Sequence, residues 1–229
     1  MVEVKRQWPH LSGTLVLASL TSVGLFAAGA IRNQNYSYDF MLWNLFLAWV
    51  PLLLVVWLLK VLKRHRWASW QGITLSLLWL GFLPNSFYMV TDYIHLKDAP
   101  RVDVLYDAVM LTSFVVTGLI LGYISLYLFH LELRKRLPEM SAARFVGVII
   151  LLCSIAIYMG RSLRWNTWDL FINPAGILFD VSDRLINPQA HPQMFVQIIS
   201  FFVLLGLFYL FIWNLVRTLR PLDRQRDRH

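Results

Sequence analysis

The stretch VLYDAVMLTSFVVTGLILGYISLYLF, residues 104–129, decides the fold. Past Asp107 it holds no charged side chain, and it does not alternate between polar and apolar residues as the strands of a membrane β-barrel do. A bilayer core about 30 Å thick is crossed by roughly 20 predominantly apolar residues in a helix rising about 1.5 Å per residue. The run meets that length. In hydrocarbon every backbone N–H and C=O must find its partner within the segment, so the element that satisfies them is an α-helix.

Working outward, five more blocks have the same character, at about 11–31, 40–62, 73–96, 143–160 and 194–216. The expected fold is an all-α membrane protein, a polytopic bundle of six transmembrane helices forming one transmembrane domain over residues 1–229. Composition agrees, with 58% hydrophobic and 15% charged residues against about 45–50% and about 25% in soluble domains. The first block follows Lys5 and Arg6 and ends near Ala28-Gly29-Ala30, which resembles a signal peptide. It is longer than the roughly 7–15 apolar residues of such a segment, and we read it as an uncleaved first span.

Positive charge sets the orientation. Of the 21 Lys and Arg residues, fifteen fall in the N-terminal segment (Lys5, Arg6), the second connection (Lys60, Lys63, Arg64, Arg66), the fourth (Arg134, Lys135, Arg136, Arg144) and the tail (Arg217, Arg220, Arg224, Arg226, Arg228). The remaining six are Arg32, Lys97, Arg101, Arg161, Arg164 and Arg184. An excess on alternate connections places both termini in the cytoplasm by the positive-inside rule. The net charge of +8 thus reads as topology signals, and nucleic acid is rejected because no basic domain interleaved with aromatics exists to hold it. The single cysteine, Cys153, lies in an apolar run; it excludes an intramolecular disulfide and a multi-thiolate metal site and reads as an inert core thiol.

Ionisable groups at membrane depth are costly and mark functional sites by default. They collect toward the outer ends of the spans, while the cytoplasmic halves read as nearly plain hydrocarbon. In LPNSFYMVTDYIHL, residues 83–96, Pro84 is expected to kink the helix, and Asn85 to satisfy freed backbone groups or bond across helices. Asp92 and His95 share a face at a spacing of three and suit acid–base or metal chemistry, with Asp107 in support. The bland alternative is a water-facing helix end. A metal needs a third ligand, for which Asp107, Asp169 or His191 is placed; whether one is bound is left open. In MGRSLRWNTWDLFINP, residues 159–174, Arg161 and Arg164 share a face and suit a phosphate or carboxylate, with Asn166 and Asp169 beside them. Equally, the two arginines suit snorkelling or structural ion pairs. The following loop repeats Asp-x-x-Ile-Asn-Pro at 169–174 and 183–188, which reads as two short interfacial helices, each ended at its Asn-Pro. Pro51 predicts a second kink, and Gly118 and Gly122 a close helix approach.

Four segments, NLFLAWVPL, LWLGFLPNSFYMVTDYIHL, YDAVMLTSFVVTGLILGYISLY and GRSLRWNTWDLFINP, together resemble an uncharacterised bacterial membrane-protein family, domain of unknown function 1361. The resemblance runs from about Phe40 to Phe211. It implies a bacterial inner-membrane setting and carries neither an activity nor catalytic residues.

Three functional readings follow. The first is a membrane enzyme, a hydrolase or transferase, with an outward site at headgroup depth for a lipid or anionic envelope substrate. Asp92, His95 and Asp107 would do the chemistry; Arg161, Arg164, Asn85, Asn166 and Asp169 would bind. The second is a small-solute transporter or channel built on broken helices. The third is a scaffold or binding protein. Membrane lipids are the partners that the spans imply, while cofactor and oligomeric state are undetermined by the sequence.

Overall fold

In the computed structural model, residues 2–34, 36–97, 104–163, 172–187, 189 and 192–226 are described. All regular elements among them are helical: α1 (Val2–Asn33), α2 (Phe40–Val61), α3 (Trp70–Tyr88), a 3-10 helix (Met89–Lys97), α4 (Val104–Leu133), α5 (Glu139–Ser162), α6 (Pro174–Ile186) and α7 (Pro192–Arg226). Six stretches are long and apolar enough to cross a membrane, namely His10–Arg32, Phe40–Val61, Trp70–Leu96, Val104–Leu133, Glu139–Ser162 and Pro192–Leu219. The expected all-α class with six spans holds among the described residues. Two compact units divide the chain between Leu128 and Phe129.

In the first unit α2 buries the stripe Met41, Leu45, Ala48, Leu52 and Val55, whose three- and four-residue steps keep one face of a helix turned inward. Trp43, Phe46, Leu53 and Trp57 stand exposed on the rest of its surface, apolar area that suits acyl chains. Against α2 packs α3, which buries Leu75, Trp79, Leu83 and Ser86. Their pairing is antiparallel, since the Ser86 hydroxyl donates to the Ala48 carbonyl (3.0 Å) and the Asn44 amide to Asp92 (2.9 Å). The Trp79 indole donates to Ser125 of α4 (2.8 Å). A Cβ at Gly118 would stand 3.0 Å from the Ser86 carbonyl oxygen, and one at Gly122 2.8 Å from both Ser86 Cβ and the Phe87 ring. These two glycines, four apart and so on one face, let α3 approach α4 closely.

Helix boundaries differ from the hydropathy reading for local reasons. Three residues ahead of the expected start, Trp70 opens α3, because Ser69 is extended and its hydroxyl accepts from the Gly72 N–H (3.2 Å). Glu139 opens α5 directly after Pro138, again ahead of the first apolar residue, and its carboxylate suits the positive N-terminal end of the helix dipole. Neither proline ends its helix: α2 runs through the buried Pro51, and α3 through Pro84 to Tyr88. The change of geometry comes after Tyr88, where the chain tightens into the 3-10 helix.

The second unit holds the end of α4 from Phe129, α5, α6 and α7. On its inner face α5 buries Val146, Ile149, Ile150, Cys153 and Ile157, and α7 contributes Leu205 and Tyr209 to the core. Antiparallel ties hold both ends of this pair, Ser162 to Gln197 (3.1 Å) and Arg217 to Glu139 (2.7 Å). The repeated Asn-Pro works in two opposite ways. Asn173 caps the start of α6, its side chain accepting from the Gly176 N–H (3.0 Å), with Pro174 at the first helical position. Asn187 ends the same helix. Both asparagines leave the helical region, at φ/ψ of −138/60° and −113/58°, as a residue before proline tends to. The first copy starts a helix, which proline's missing N–H allows at no cost; the helix that it was expected to end lies largely outside the described residues, with Ile172 before it helical. α6 is one amphipathic helix with Phe179 and Ile186, seven apart, exposed on one face; the first of the two expected interfacial helices falls at 168–173, largely outside the described residues.

Candidate functional site at the end of the third span

Asp92 is the most deeply buried carboxylate among the described residues, with 1% of its surface exposed. It lies near the end of the third span and accepts a hydrogen bond from the Asn44 amide of α2 at 2.9 Å. In α2, Asn44 and Lys60 are the polar residues of an otherwise apolar helix, which made Asn44 visible in the sequence without naming its partner. Inside a 3-10 helix residues three apart eclipse one another, so Met89, Asp92 and His95 form one column. That column turns inward at its base and opens at its tip: Met89 and Asp92 are buried and His95 is half-buried. The imidazole of His95 packs on Phe40, ring centres 4.8 Å apart and planes tilted by 53°. Tyr38, itself buried, packs on the same Phe40 at 6.4 Å. Sequence reasoning missed these two aromatics because Tyr38 lies on the polar-looking connection before α2 and Phe40 reads as the first apolar residue of a span.

Neighbouring polar groups brace this end. Tyr93 donates to Thr112 of α4 (2.9 Å), and Thr112 donates to the Ala108 carbonyl (2.6 Å). Tyr106 reaches the Leu25 carbonyl of α1 (2.6 Å). The Asn85 amide donates to the Phe82 carbonyl (3.1 Å), inside its own helix and next to Pro84. Asp107 lies half-buried in the first turn of α4. Of the sequence candidates, Asp92, His95, Asp107 and Asn85 therefore belong to the first unit, and Asp92 and His95 share one face there. Arg161 belongs to the second unit, half-buried in the last turn of α5, where a cation also complements the helix dipole. Arg164, Asn166, Asp169 and His191 lie outside the described residues. Among the described residues no three His, Cys, Asp or Glu side chains gather as a metal site would require.

A family model with the description "Protein of unknown function (DUF1361)" matches residues 43–207. The chain belongs to this family. The DUF1361 match covers Asn44, Asp92, His95 and Arg161 alike. No curated protein and no solved structure matches the chain.

The opposite end of α4 corrects the expectation of plain hydrocarbon there. Helix α4 runs on to Leu133, carrying His130 and Glu132 into the fourth span. His130 is 3% exposed; its Nδ1 lies 2.7 Å from the Tyr209 hydroxyl, and its ring stacks on Trp213 at 4.0 Å. Its Nε2 is buried without a hydrogen-bond partner among the described residues. Glu132, 5% exposed, is held by Lys135 and by Arg136 (2.6 Å). Arg134 stands 5.5 Å over the Trp213 ring and pairs with Glu139 (3.1 Å), which also binds Arg217 (2.7 Å). The sequence HLELRKRLPE hid this cluster, because a dense charge run reads as a solvated loop.

Proposed function

We propose that the Asp92–His95 end is an outward-facing site at headgroup depth for a lipid or anionic envelope substrate, worked by a hydrolase or transferase in a bacterial inner membrane. The observation that carries this reading is a nearly fully buried carboxylate tied across two spans beneath a partly open imidazole. Burying a carboxylate at membrane depth is expensive, and such groups face a bundle interior or a polar cavity where they serve function. The half-buried His95 meets the substrate as general acid–base. Asp92, held by Asn44, lies beneath it in the column and sets the local field. Asp107 assists from the start of α4. Arg161 and Arg164, with Asn85, Asn166 and Asp169, stay the sequence's candidates for holding the anionic group. Both termini lie in the cytoplasm, in keeping with the distribution of lysine and arginine.

The test is release of water-soluble headgroups from vesicles of bacterial polar lipids containing the purified protein. Wild type is expected to release them, and His95→Gln to be slower by about 10²–10⁴-fold, the usual contribution of general acid–base catalysis. Equal release by both proteins, or none by wild type, rejects the enzyme reading.

A further inference from the structure

We propose that the turn between α4 and α5, together with the last membrane turn of α7, binds the headgroup of an anionic phospholipid of the surrounding membrane. The argument starts from charge. Glu132 is shared by Lys135 and Arg136, and Glu139 by Arg134 and Arg217. Four cations on two carboxylates leave two positive charges over. These sit at the ends of the fourth and sixth spans and the start of the fifth, where lipid headgroups lie. Basic pockets between transmembrane helices at a membrane face bind anionic headgroups in this manner.

The arrangement is also fixed in place. A topology signal needs only positive charge near a span end, with no defined geometry. Here His130 clamps the last turn of α4 to α7 through Tyr209 and Trp213, and Arg134 lies over the same indole. The buried Glu132 anchors the turn from beneath while Lys135 and Arg136 remain partly exposed, their side chains at 46% and 38%. Trp213, half-buried at this level, suits the headgroup zone where amphipathic aromatics collect. The lipid phosphate would take the surplus charge, and its acyl chains would run along the exposed apolar face of α7 at Leu207 and Leu210.

Either carboxylate keeps one cation when the other is removed, so Lys135→Gln and Arg217→Gln each delete one spare charge without stranding a glutamate. The experiment follows thermal unfolding of the full chain in neutral detergent, titrated with phosphatidylglycerol, with phosphatidylcholine of the same chains, or with inorganic phosphate. Phosphatidylglycerol alone is expected to stabilise the wild type. Each variant should weaken that effect about fivefold, the worth of one basic residue at an anionic surface. Arg32→Gln, an exposed arginine on α1, should leave it unchanged, and Lys135→Arg should retain it. Equal stabilisation by phosphatidylcholine overturns the proposal, as does stabilisation by inorganic phosphate alone. An equal loss in Arg32→Gln overturns it too, since that would mean diffuse surface attraction.

Discussion

The two ends of α4 hold buried carboxylates by different means. At its starting end Asp92 is tied to Asn44, a neutral amide 48 residues away on another span. At its finishing end Glu132 is held by two cations three and four residues ahead in the same turn. The first tie joins helices that hydrophobic packing alone would let slide. The second neutralises a charge locally and leaves helix docking to His130, Tyr209 and Trp213. A cross-span tie should therefore respond to mutation through packing and activity together, whereas the local tie should respond weakly and the docking residues in between.

The largest effect is expected at Asn44. Asn44→Leu removes a donor from a carboxylate with almost no access to water, and should destabilise the protein in detergent by about 2–3 kcal/mol, the range for a hydrogen bond lost at a buried charged group. Thermal unfolding measures it. A loss no larger than that of a surface substitution would show that the cross-span tie is not structural.

Next comes Tyr209→Phe, which leaves His130 Nδ1 unpartnered beside an Nε2 that already lacks a hydrogen bond among the described residues. A cost of about 1–2 kcal/mol is expected for the stranded buried group. His130→Phe combined with Tyr209→Phe should cost less than Tyr209→Phe alone, because replacing both partners with apolar rings removes the unsatisfied atoms and keeps the stack on Trp213. Additive losses would break that account.

The smallest effect is expected for Lys135→Ala, within about 0.5 kcal/mol, since an exposed cation contributes little and Glu132 keeps Arg136. A loss as large as that of Asn44→Leu would erase the distinction between the two ends.

The same contrast explains what could be read from the sequence. Hydropathy reports the length of an apolar run, and it found all six spans; it missed the starts at Trp70 and Glu139 because Ser69 and Pro138 set those boundaries through backbone geometry. Spacing of three brought Asp92 and His95 to one face, and the 3-10 helix tightened that relation. What a single chain does not carry is pairing between distant helices. Nothing in the residues around Asn44 names Asp92, and nothing around His130 names Tyr209. Charge density misled as well, since HLELRKRLPE resembles a loop although its first residues are buried in a helix. The two copies of Asn-Pro look identical in sequence, yet the first stands at the start of α6 and the second at its end, which the motif by itself does not distinguish.

An envelope substrate reaches Asp92 and His95 only if their end of the bundle faces away from the cytoplasm. Labelling of intact cells with a membrane-impermeant maleimide tests this, using Ser37→Cys and His65→Cys in a Cys153→Ala background. Ser37 lies in the connection before α2 and His65 in the connection before α3, at opposite ends of α2. Ser37→Cys is expected to label in intact cells and His65→Cys only after the membrane is opened. The reverse pattern would place Asp92 and His95 on the cytoplasmic side and contradict an outward-facing site.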